Sequence, residues 1–258
     1  VLILNLPIDL KVGGLAAKLA GVKKIIYRRG MPHPLRNTLL NRFLFKYVLD
    51  IVIVNSQEIG RTLSSGNESW FPQEKMKLLY NGVDLSLHHE RVPVKFDKLI
   101  IGSAGRLTEQ KGQFYLIELA KLLKSEGVDF KILLAGEGDL RESLQKKIQE
   151  FHLEAQIELL GHVHDMKKFF ESIEVFVFPS LFEGSANTLI EALYHEVPVV
   201  AWDVSSNSEL IDDFLIKPFD VQEMKNHILS LHRDENLKQK LVLRGRKNLQ
   251  EKFDSEKN

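Results

Sequence analysis

Short apolar runs alternate with stretches of helical periodicity in the second half of the chain, and this alternation constrains the fold more than any other feature. A strand–helix–strand succession builds a parallel sheet with right-handed crossovers, so the pattern predicts a doubly wound α/β domain. The apolar runs predicted as strands are 99–104, 130–135, 157–160, 175–178 and 197–202.

The first half of the chain carries a weaker version of the same pattern. Apolar runs near Val1–Asn5, Lys24–Tyr27 and Asp50–Val54 are separated by helical stretches, and Ser56 is a suitable N-cap for one of these helices. The segment His88–Asp97 has no periodicity and is interpreted as a linker. The sequence therefore predicts an incomplete α/β domain at 1–87, a linker at 88–98 and a complete α/β domain at 99–258.

Composition limits the functional classes. The 258 residues include no cysteine, which excludes disulfides and cysteine–zinc sites, and no run of eighteen apolar residues occurs. Formal net charge is zero, but the first fifty residues hold nine lysines and arginines against Asp9 and Asp50. This excess favours an anionic membrane surface as a partner, and a basic surface exposed only to solvent is the next interpretation. Nucleic acid ranks last because no nucleic-acid motif accompanies the charge.

A pair of cations follows the first strand of the second domain. Arg106 and Lys111 lie in a loop bracketed by Gly105 and Gly112, ahead of a predicted helix. Ligands of doubly wound sheets bind beyond the carboxyl ends of strands, and two fixed cations there suit a phosphate. Taken alone, however, the loop would be interpreted as two surface residues at a tight turn.

Two further groups follow later strands. Gly136-Glu137-Gly138 allows close approach of backbone to a ligand, although a simple turn is favoured for it. Glu183 and Glu191 lie eight residues apart, the first in a loop and the second in a helix that begins near Asn187. A helix N-terminus suits an anion, but a loop carboxylate with a solvated helix carboxylate explains the pair about as well.

Taken together and in this order, the groups resemble the retaining glycosyltransferases of family 4, which have the two-domain GT-B fold. The resemblance covers residues 50–254. It is carried by Gly105-Arg-Leu, Lys111-Gly112, Gly136-Glu-Gly138, Gly161, Val175-Phe-Val-Phe-Pro-Ser-Leu-Phe-Glu183-Gly184, Glu191-Ala192, Val197-Pro198, Glu209-Leu-Ile and the turn Asn81-Gly-Val-Asp84. It implies an α/β protein with two Rossmann-like doubly wound domains of GT-B type, the first incomplete.

The resemblance also implies roles for individual residues. Arg106 and Lys111 hold the diphosphate of a nucleotide sugar and stabilise the charge that grows as the sugar leaves. Glu183 binds hydroxyl groups of the donor sugar, and Glu191 accepts hydrogen bonds from the ribose. A nucleophilic Glu183 is disfavoured, because these enzymes are thought to retain configuration by front-face attack. The remaining donor-binding positions are Gly105, Gly136, Gly161, His162, Gly184, Ser185, Ala186, Asn187 and Thr188.

Some positions depart from the family pattern. Glu196 replaces a glycine after the helix, Ser205-Ser206 replaces a glycine pair, and Arg28-Arg29-Gly30 lies where the family often has a histidine, so no catalytic histidine is transferred. The predicted first domain is shorter than the second, which implies truncation. No Asp-x-Asp occurs anywhere, which argues against metal-dependent transfer, and we expect neither a metal nor a cofactor.

These inferences predict a retaining hexosyltransferase. Its partners would be a nucleotide-sugar donor, a glycan or lipid-linked acceptor of cell-envelope polysaccharide synthesis, an anionic membrane surface and no nucleic acid. We expect a cytoplasmic protein that can associate with the inner face of a membrane. A nucleotide-sugar epimerase or phosphorylase, or a non-catalytic nucleotide-binding subunit, remains the alternative.

Overall fold

Parallel strands form two separate sheets in the computed structural model, which describes residues 1–87, 91, 96–184, 186–211 and 213–254. The chain divides into two compact units. The first comprises Val1–Asn81 together with Glu183 and Gly184, and the second comprises Gly82–Phe182 together with the residues from Ala186 onward. Of the predicted linker, residues 88–90 and 92–95 lie outside the described residues.

The first unit contains a four-stranded parallel sheet in the order β1-β2-β3-β4. Its strands are β1 (Leu2–Leu4), β2 (Ile25–Arg29), β3 (Ile51–Val54) and β4 (Met76–Leu78). Its α-helices are α1 (Pro7–Asp9), α2 (Leu15–Leu19), α3 (Leu39–Phe43) and α4 (Gln57–Ser64), with π-helical turns at Leu10–Gly14 and Leu44–Val48 and a 3₁₀ turn at Gln73–Lys75. The Ser56 hydroxyl accepts a hydrogen bond from the Ile59 amide at 3.1 Å, which confirms the predicted N-cap of α4.

The second unit contains a six-stranded parallel sheet in the order β10-β9-β8-β5-β6-β7. Its strands are β5 (Leu99–Ala104), β6 (Phe130–Ala135), β7 (Ile157–Gly161), β8 (Val175–Phe178), β9 (Val199–Trp202) and β10 (Leu215–Ile216). Its α-helices are α5 (Phe114–Ser125), α6 (Arg141–Glu150), α7 (Met166–Glu171), α8 (Asn187–Tyr194), α9 (Asn207–Leu210), α10 (Val221–Arg233) and α11 (Glu235–Asn248), with 3₁₀ turns at Leu85–Leu87 and Glu109–Lys111 and a π-helical turn at Leu249–Phe253.

Both sheets are stabilised by apolar cores, as their apolar strands predict. In the second unit, side chains of the central strands pack with α5 and α10, and β8 is buried along its whole length. A strand covered on both faces has no polar face, which is why 175–178 is an unbroken apolar run rather than an alternating one. The predicted α/β class with parallel sheets is therefore confirmed.

The main differences from the predictions concern three strands. β2 extends two residues beyond the predicted strand end at Tyr27 and includes Arg28 and Arg29. Parallel pairing with β3 extends to Arg29, so hydrogen bonding between the strands continues β2 past the end of its apolar residues. β9 begins at Val199 rather than Val197, and the two-residue strand β10 was not predicted because it is too short to show a period.

Two helices of the second unit end in the same hydrogen-bond pattern with different residues. After α5, Gly127 has φ of 70°, and the Val128 amide donates to the Leu123 carbonyl at 3.1 Å. After α8, Glu196 has φ of 55°, and the Val197 amide donates to the Ala192 carbonyl at 3.0 Å. Both are Schellman caps, which favour glycine at the left-handed position. Glu196 thus adopts the conformation of the glycine that the family resemblance leads one to expect there.

No helix in the described part of the chain is both long enough and apolar enough to cross a bilayer.

Candidate functional site

The order of strands in the second sheet fixes where a ligand can bind. The chain runs outward from β5 through β6 to β7, then returns to pair β8 with the other side of β5 and continues outward through β9 to β10. The crossovers after β5 and β8 therefore lead in opposite directions. Ligands of doubly wound sheets bind at the carboxyl ends of the two strands that flank such a switch point.

The loop from Gly105 to Gly112, which contains Arg106 and Lys111 and which we call the cation loop, follows β5 at this switch point. Glu109–Lys111 form a 3₁₀ turn that ends at Gly112, where φ is 66°. The Arg106 side chain is exposed, and the Lys111 ammonium nitrogen lies 5.5 Å from the centre of the Phe178 ring at the end of β8. The buried Gln113 donates from Nε2 to the Arg106 carbonyl at 2.7 Å and holds the backbone of the loop.

Backbone hydrogen bonds join the loop after β6 to the cation loop. The Leu107 amide donates to the Glu137 carbonyl at 2.9 Å, and the Leu140 amide donates to the Leu107 carbonyl at 3.0 Å. A Cβ atom at Gly136 would lie 1.9 Å from the Gly105 carbonyl oxygen. Gly136 therefore does more than turn the chain, because only a residue without a side chain lets these loops pack this closely.

The loop after β8 is joined to the other side of the cation loop. The Leu181 amide donates to the Gln110 carbonyl at 2.8 Å, and Gln110 Nε2 donates to the Phe182 carbonyl at 2.8 Å. At Gly112 a Cβ atom would lie 2.1 Å from the Pro179 carbonyl oxygen. We call these contacts of Gln110 and Gly112 the loop clamp. It fixes the cation loop relative to the segment that leads to Glu183.

Glu183 and Gly184 pack with the first unit. The Glu183 side chain is buried, with 5% of its surface exposed. Gly184 lies against the backbone of Gly30, where a Cβ atom would come within 1.7 Å of the Gly30 carbonyl oxygen. Ser185, a predicted donor-binding residue, lies outside the described residues.

Helix α8 follows this segment and begins at Asn187, as predicted. Its N-cap residue, Ala186, has no side chain able to cap the first amides. At the start of the helix, Asn187 is exposed and Thr188 is half-buried, whereas Ala186 is buried. The half-buried Glu191 lies on the second turn, and desolvation by burial raises the pKa of its carboxyl above the usual value.

The end of β7 supplies the last predicted positions. Gly161 closes the strand with φ of 73°, and a Cβ there would lie 2.7 Å from Glu137 Oε1. His162 is exposed, and its ring centre lies 4.5 Å from that of His164. The Gly136 amide donates to the Gly161 carbonyl at 2.7 Å, so the loops after β6 and β7 adjoin one another.

The structure thus places Arg106, Lys111 and the glycines after β5 and β6 in one set of hydrogen-bonded loops. Sequence reasoning overlooked Gln110 and Gln113, which position that set. The sequence does show both residues, since an amide side chain within a loop, like Gln110, or directly after it, like Gln113, can donate to a carbonyl that a turn leaves unpaired. Among the described residues, no group of three or more histidine, aspartate or glutamate side chains is arranged to hold a metal ion.

Comparison with family models identifies one match. Residues 86–248, more than half of the chain, match the model described as glycosyl transferases group 1. The matched part includes the whole of the second sheet and the loops at its carboxyl edge.

Two relatives illustrate the sequence similarity. A Campylobacter jejuni N-acetylgalactosaminyltransferase, whose name specifies a diphospho-undecaprenol-linked acceptor, is 35% identical over 185 residues, which cover 69% of this chain and 49% of the relative. A glycosyltransferase of Methanocaldococcus jannaschii is 33% identical over 174 residues, which cover 64% of this chain and 42% of the relative. The chain therefore spans about half the length of the relatives it matches.

Solved structures extend the similarity to almost the whole chain. Anabaena HepE in complex with UDP superposes with a TM-score of 0.82 at 20% identity, covering 98% of this chain and 74% of HepE. Staphylococcus aureus TarM, solved with UDP and α-GlcNAc-glycerol, superposes with a TM-score of 0.77 at 24% identity, covering 95% of this chain and 52% of TarM. At these identities the likeness establishes the fold, which is the GT-B arrangement.

Proposed function

The chain belongs to the group 1 glycosyl transferases, and on that premise we propose that it transfers a sugar from a nucleotide diphosphate donor with retention of configuration. The observation that carries the proposal is the cation loop. Arg106 and Lys111 lie at the switch point of the sheet, on a backbone that hydrogen bonds hold from both sides. Fixed cations beyond strand ends suit a diphosphate better than a neutral ligand.

In the proposed reaction, the bond between the anomeric carbon and the β-phosphate oxygen breaks as the acceptor oxygen bonds to the same face of the sugar. The acceptor proton passes to the departing phosphate. Arg106 and Lys111 stabilise the charge that develops on that phosphate, and pre-positioned cations achieve this without reorganisation. The first amides of α8, at Asn187 and Thr188, are further donors to the same phosphates.

Two carboxylates flank the diphosphate in this proposal. Glu183 accepts hydrogen bonds from the sugar hydroxyls, and Glu191 accepts them from the ribose. An ionised carboxylate offers only acceptors, so the charged form suits both roles best. His162 and Gly161 lie beside the nucleotide base. No metal ion or cofactor takes part, which predicts full activity in the presence of a chelator.

The names of relatives guide the choice of acceptor. Besides the C. jejuni enzyme, relatives include the S. aureus capsular polysaccharide biosynthesis glycosyltransferase CapM and a poly(ribitol-phosphate) α-N-acetylglucosaminyltransferase. We therefore propose a glycan or lipid-linked acceptor of cell-envelope polysaccharide synthesis. A lipid-linked acceptor would bring the protein to the cytoplasmic face of a membrane.

The test begins with the donor. UDP-, GDP- and ADP-sugars are screened by thermal shift, because a ligand that binds only the folded state raises the unfolding midpoint by mass action. UDP-sugars come first, since both solved relatives hold UDP. Transfer is then measured for Lys111→Ala and Glu183→Ala, with Lys146→Ala on an exposed turn of α6 as the control. We expect loss of transfer in the first two variants only, and full activity in both would reject the assignment.

A second candidate is a nucleotide-binding module without transfer, because the cation loop by itself accounts for nucleotide binding and not for an acceptor. Calorimetry that shows nucleotide binding, together with no turnover by this chain or by the full gene product, would select it. Incubation with donor alone separates the remaining alternative, because an epimerase changes the sugar without any acceptor.

A further inference from the structure

A cavity lies at the amino edge of the second sheet, where β5, β8 and β9 begin. It has a volume of about 330 Å³ and lies between Arg91, Glu174, Glu196 and the face of α11 that runs from Glu235 to Arg246. Small-molecule sites begin at roughly 300 Å³, so the space is large enough for a small ligand. We call it the amino-edge cavity. The strands separate it from the cation loop by their own length, which is roughly 13–20 Å at about 3.3 Å per residue.

Helix α11 has two inward sides, and only one of them packs against the core. Leu237 and Leu241 contact the apolar core of the unit. Val242 and Leu243 line the cavity instead, together with Phe96 from the segment before β5. Leu243 is 66% exposed, so the cavity opens to solvent at this rim. Burial against this apolar wall would stabilise an apolar group of a ligand.

The polar wall holds a cation that lacks an ionic partner. Arg91 donates from Nη2 to the Ile173 carbonyl at 2.5 Å, and its amide donates to Glu196 Oε2 at 3.0 Å, so its side chain and its backbone are both fixed. Within the described ranges, no carboxylate pairs with the guanidinium, and its Nε is buried without a hydrogen-bond partner. Desolvation by burial lowers the pKa of Arg91 below its usual value, against the opposing effect of nearby glutamates. A fixed and partly desolvated cation favours an anion.

The neighbouring charges determine which anion suits the cavity. Lys238 Nζ donates to Glu174 Oε1 at 2.6 Å and pairs with Glu235 at 3.0 Å, and Arg246 pairs with Glu196 at 3.5 Å. These five side chains comprise two cations and three carboxylates, and the guanidinium before β5 balances their net negative charge. A second negative charge on a ligand would face the three carboxylates after that guanidinium had been neutralised. The cavity therefore favours a monoanion over a phosphate dianion.

A single charged head beside an apolar wall defines the class of ligand. We propose that the amino-edge cavity binds a small amphiphilic monoanion, a carboxylate or sulfonate with an apolar body. The head lies at Arg91, and the body lies against Phe96 and Val242. The proposed sugar donor binds at the opposite edge of the same sheet, so the proposal stands whether or not the chain transfers sugar.

Two dyes test the proposal with the intact chain. 8-Anilinonaphthalene-1-sulfonate is an amphiphilic monoanion whose fluorescence rises in apolar surroundings, and N-phenyl-1-naphthylamine is the same molecule without the sulfonate. We expect saturable binding of the sulfonate, about fivefold or more tighter than that of the neutral dye, because the head gains an ion pair. Equal affinities would overturn the proposal. Displacement of the sulfonate by inorganic phosphate would overturn the preference for a monoanion, and displacement by UDP would place the dye at the carboxyl edge.

Three variants give effects of different sign. Arg91→Gln should weaken sulfonate binding on the order of tenfold and leave the neutral dye unaffected. Glu196→Gly removes a carboxylate from the wall and should tighten sulfonate binding by about threefold, because less negative charge faces the head. Val242→Phe fills the apolar wall and should weaken binding of both dyes. Unfolding midpoints are measured alongside, and the last two variants carry the test if loss of the bond to Ile173 unfolds Arg91→Gln.

Matched controls lie on the same helix outside the cavity. Lys247→Gln removes a cation that is 72% exposed, and Lys240→Phe adds an aromatic side chain at an exposed position. Neither should change the binding of either dye. If the controls act as strongly as the cavity variants, the dyes bind elsewhere and the proposal fails. Weaker sulfonate binding by Glu196→Gly would contradict the argument from charge.

Discussion

Gly112 and Glu196 have nearly the same left-handed backbone, with φ of 66° and 55°, but they lie at opposite edges of the second sheet. Gly112 precedes α5 at the carboxyl edge, where the backbone of Pro179 leaves no room for a side chain. Glu196 precedes β9 at the amino edge, where its carboxylate accepts from the Arg91 amide at 3.0 Å and pairs with Arg246 at 3.5 Å.

This difference teaches that backbone conformation alone does not require glycine. Glycine is required where a second backbone approaches closely. In the second unit, such approaches occur where the loops of the candidate site meet. At the amino edge, Glu196 has the same backbone conformation, and its side chain contacts both the segment before β5 and helix α11. We therefore expect substitutions at Gly112 and at Glu196 to have different effects.

The largest expected effect is that of Gly112→Ala. The new Cβ would lie 2.1 Å from the Pro179 carbonyl, so either the cation loop or the loop after β8 must move. We expect a loss of unfolding free energy on the order of 3 kcal/mol, measured by chemical denaturation, together with loss of nucleotide binding.

Gly127→Ala is the matched control for Gly112→Ala. Its φ is 70°, yet an added Cβ would meet no heavy atom of the described residues within 4 Å. It should cost only about 1 kcal/mol and leave nucleotide binding intact. Equal costs for the two variants would refute the argument from close approach.

Gln110→Ala tests the loop clamp without adding a steric clash. The variant loses the donor to the Phe182 carbonyl but keeps the backbone bond to Leu181. If donor hydrolysis or transfer is detected, we expect turnover to fall on the order of tenfold with a much smaller change in nucleotide affinity. Glu109→Ala, at the exposed neighbouring position, is the control. A uniform loss of nucleotide affinity with unchanged turnover would contradict a positioning role.

Glu191→Gln is expected to change the pH dependence of stability. Burial raises the pKa of Glu191 in the folded state, so the folded protein binds this proton more tightly than the unfolded chain. The unfolding free energy of the wild type should therefore fall as pH rises from about 4 through the folded-state pKa, and the variant should lack this decrease. Denaturation series at several pH values measure the difference. Parallel curves for the two proteins would contradict the raised pKa.

Glu196→Gly should have the smallest effect. Glycine relieves the left-handed conformation by roughly 1 kcal/mol, while loss of the bond to Arg91 and the pair with Arg246 costs a similar amount. We expect the unfolding free energy to change by less than about 0.5 kcal/mol. Glu196→Ala keeps the conformational cost and loses the contacts, so it should be the less stable of the two. The reverse order would show that glycine does not relieve the left-handed conformation at this position.

Much of the second unit could be predicted from the sequence because its signals are local. Four of its strands were predicted to within one residue, Gly127 ends α5 as expected, and α8 begins at Asn187. Each is marked by an apolar period or by a residue with a special backbone preference. The short strand β10, by contrast, gains its structure from pairing with β9, which no local pattern records.

The candidate site was predictable in its residue types but not in its construction. The order of residues along the chain was enough to identify Arg106, Lys111 and the glycines as candidates, since glycines and charged residues can be recognised directly in a sequence. The loop clamp was not, because Gln110 and Phe182 are 72 residues apart and meet only when β8 pairs with β5.

The sequence by itself therefore determined the α/β class, the succession of strands and helices, and the residues that we propose to hold a diphosphate. The tertiary structure decided which backbones touch, and hence why Gly112 must be glycine while Glu196 need not be. The physical reason is that propensity and periodicity act within a few residues along the chain, whereas close packing acts between segments that only the folded sheet brings together.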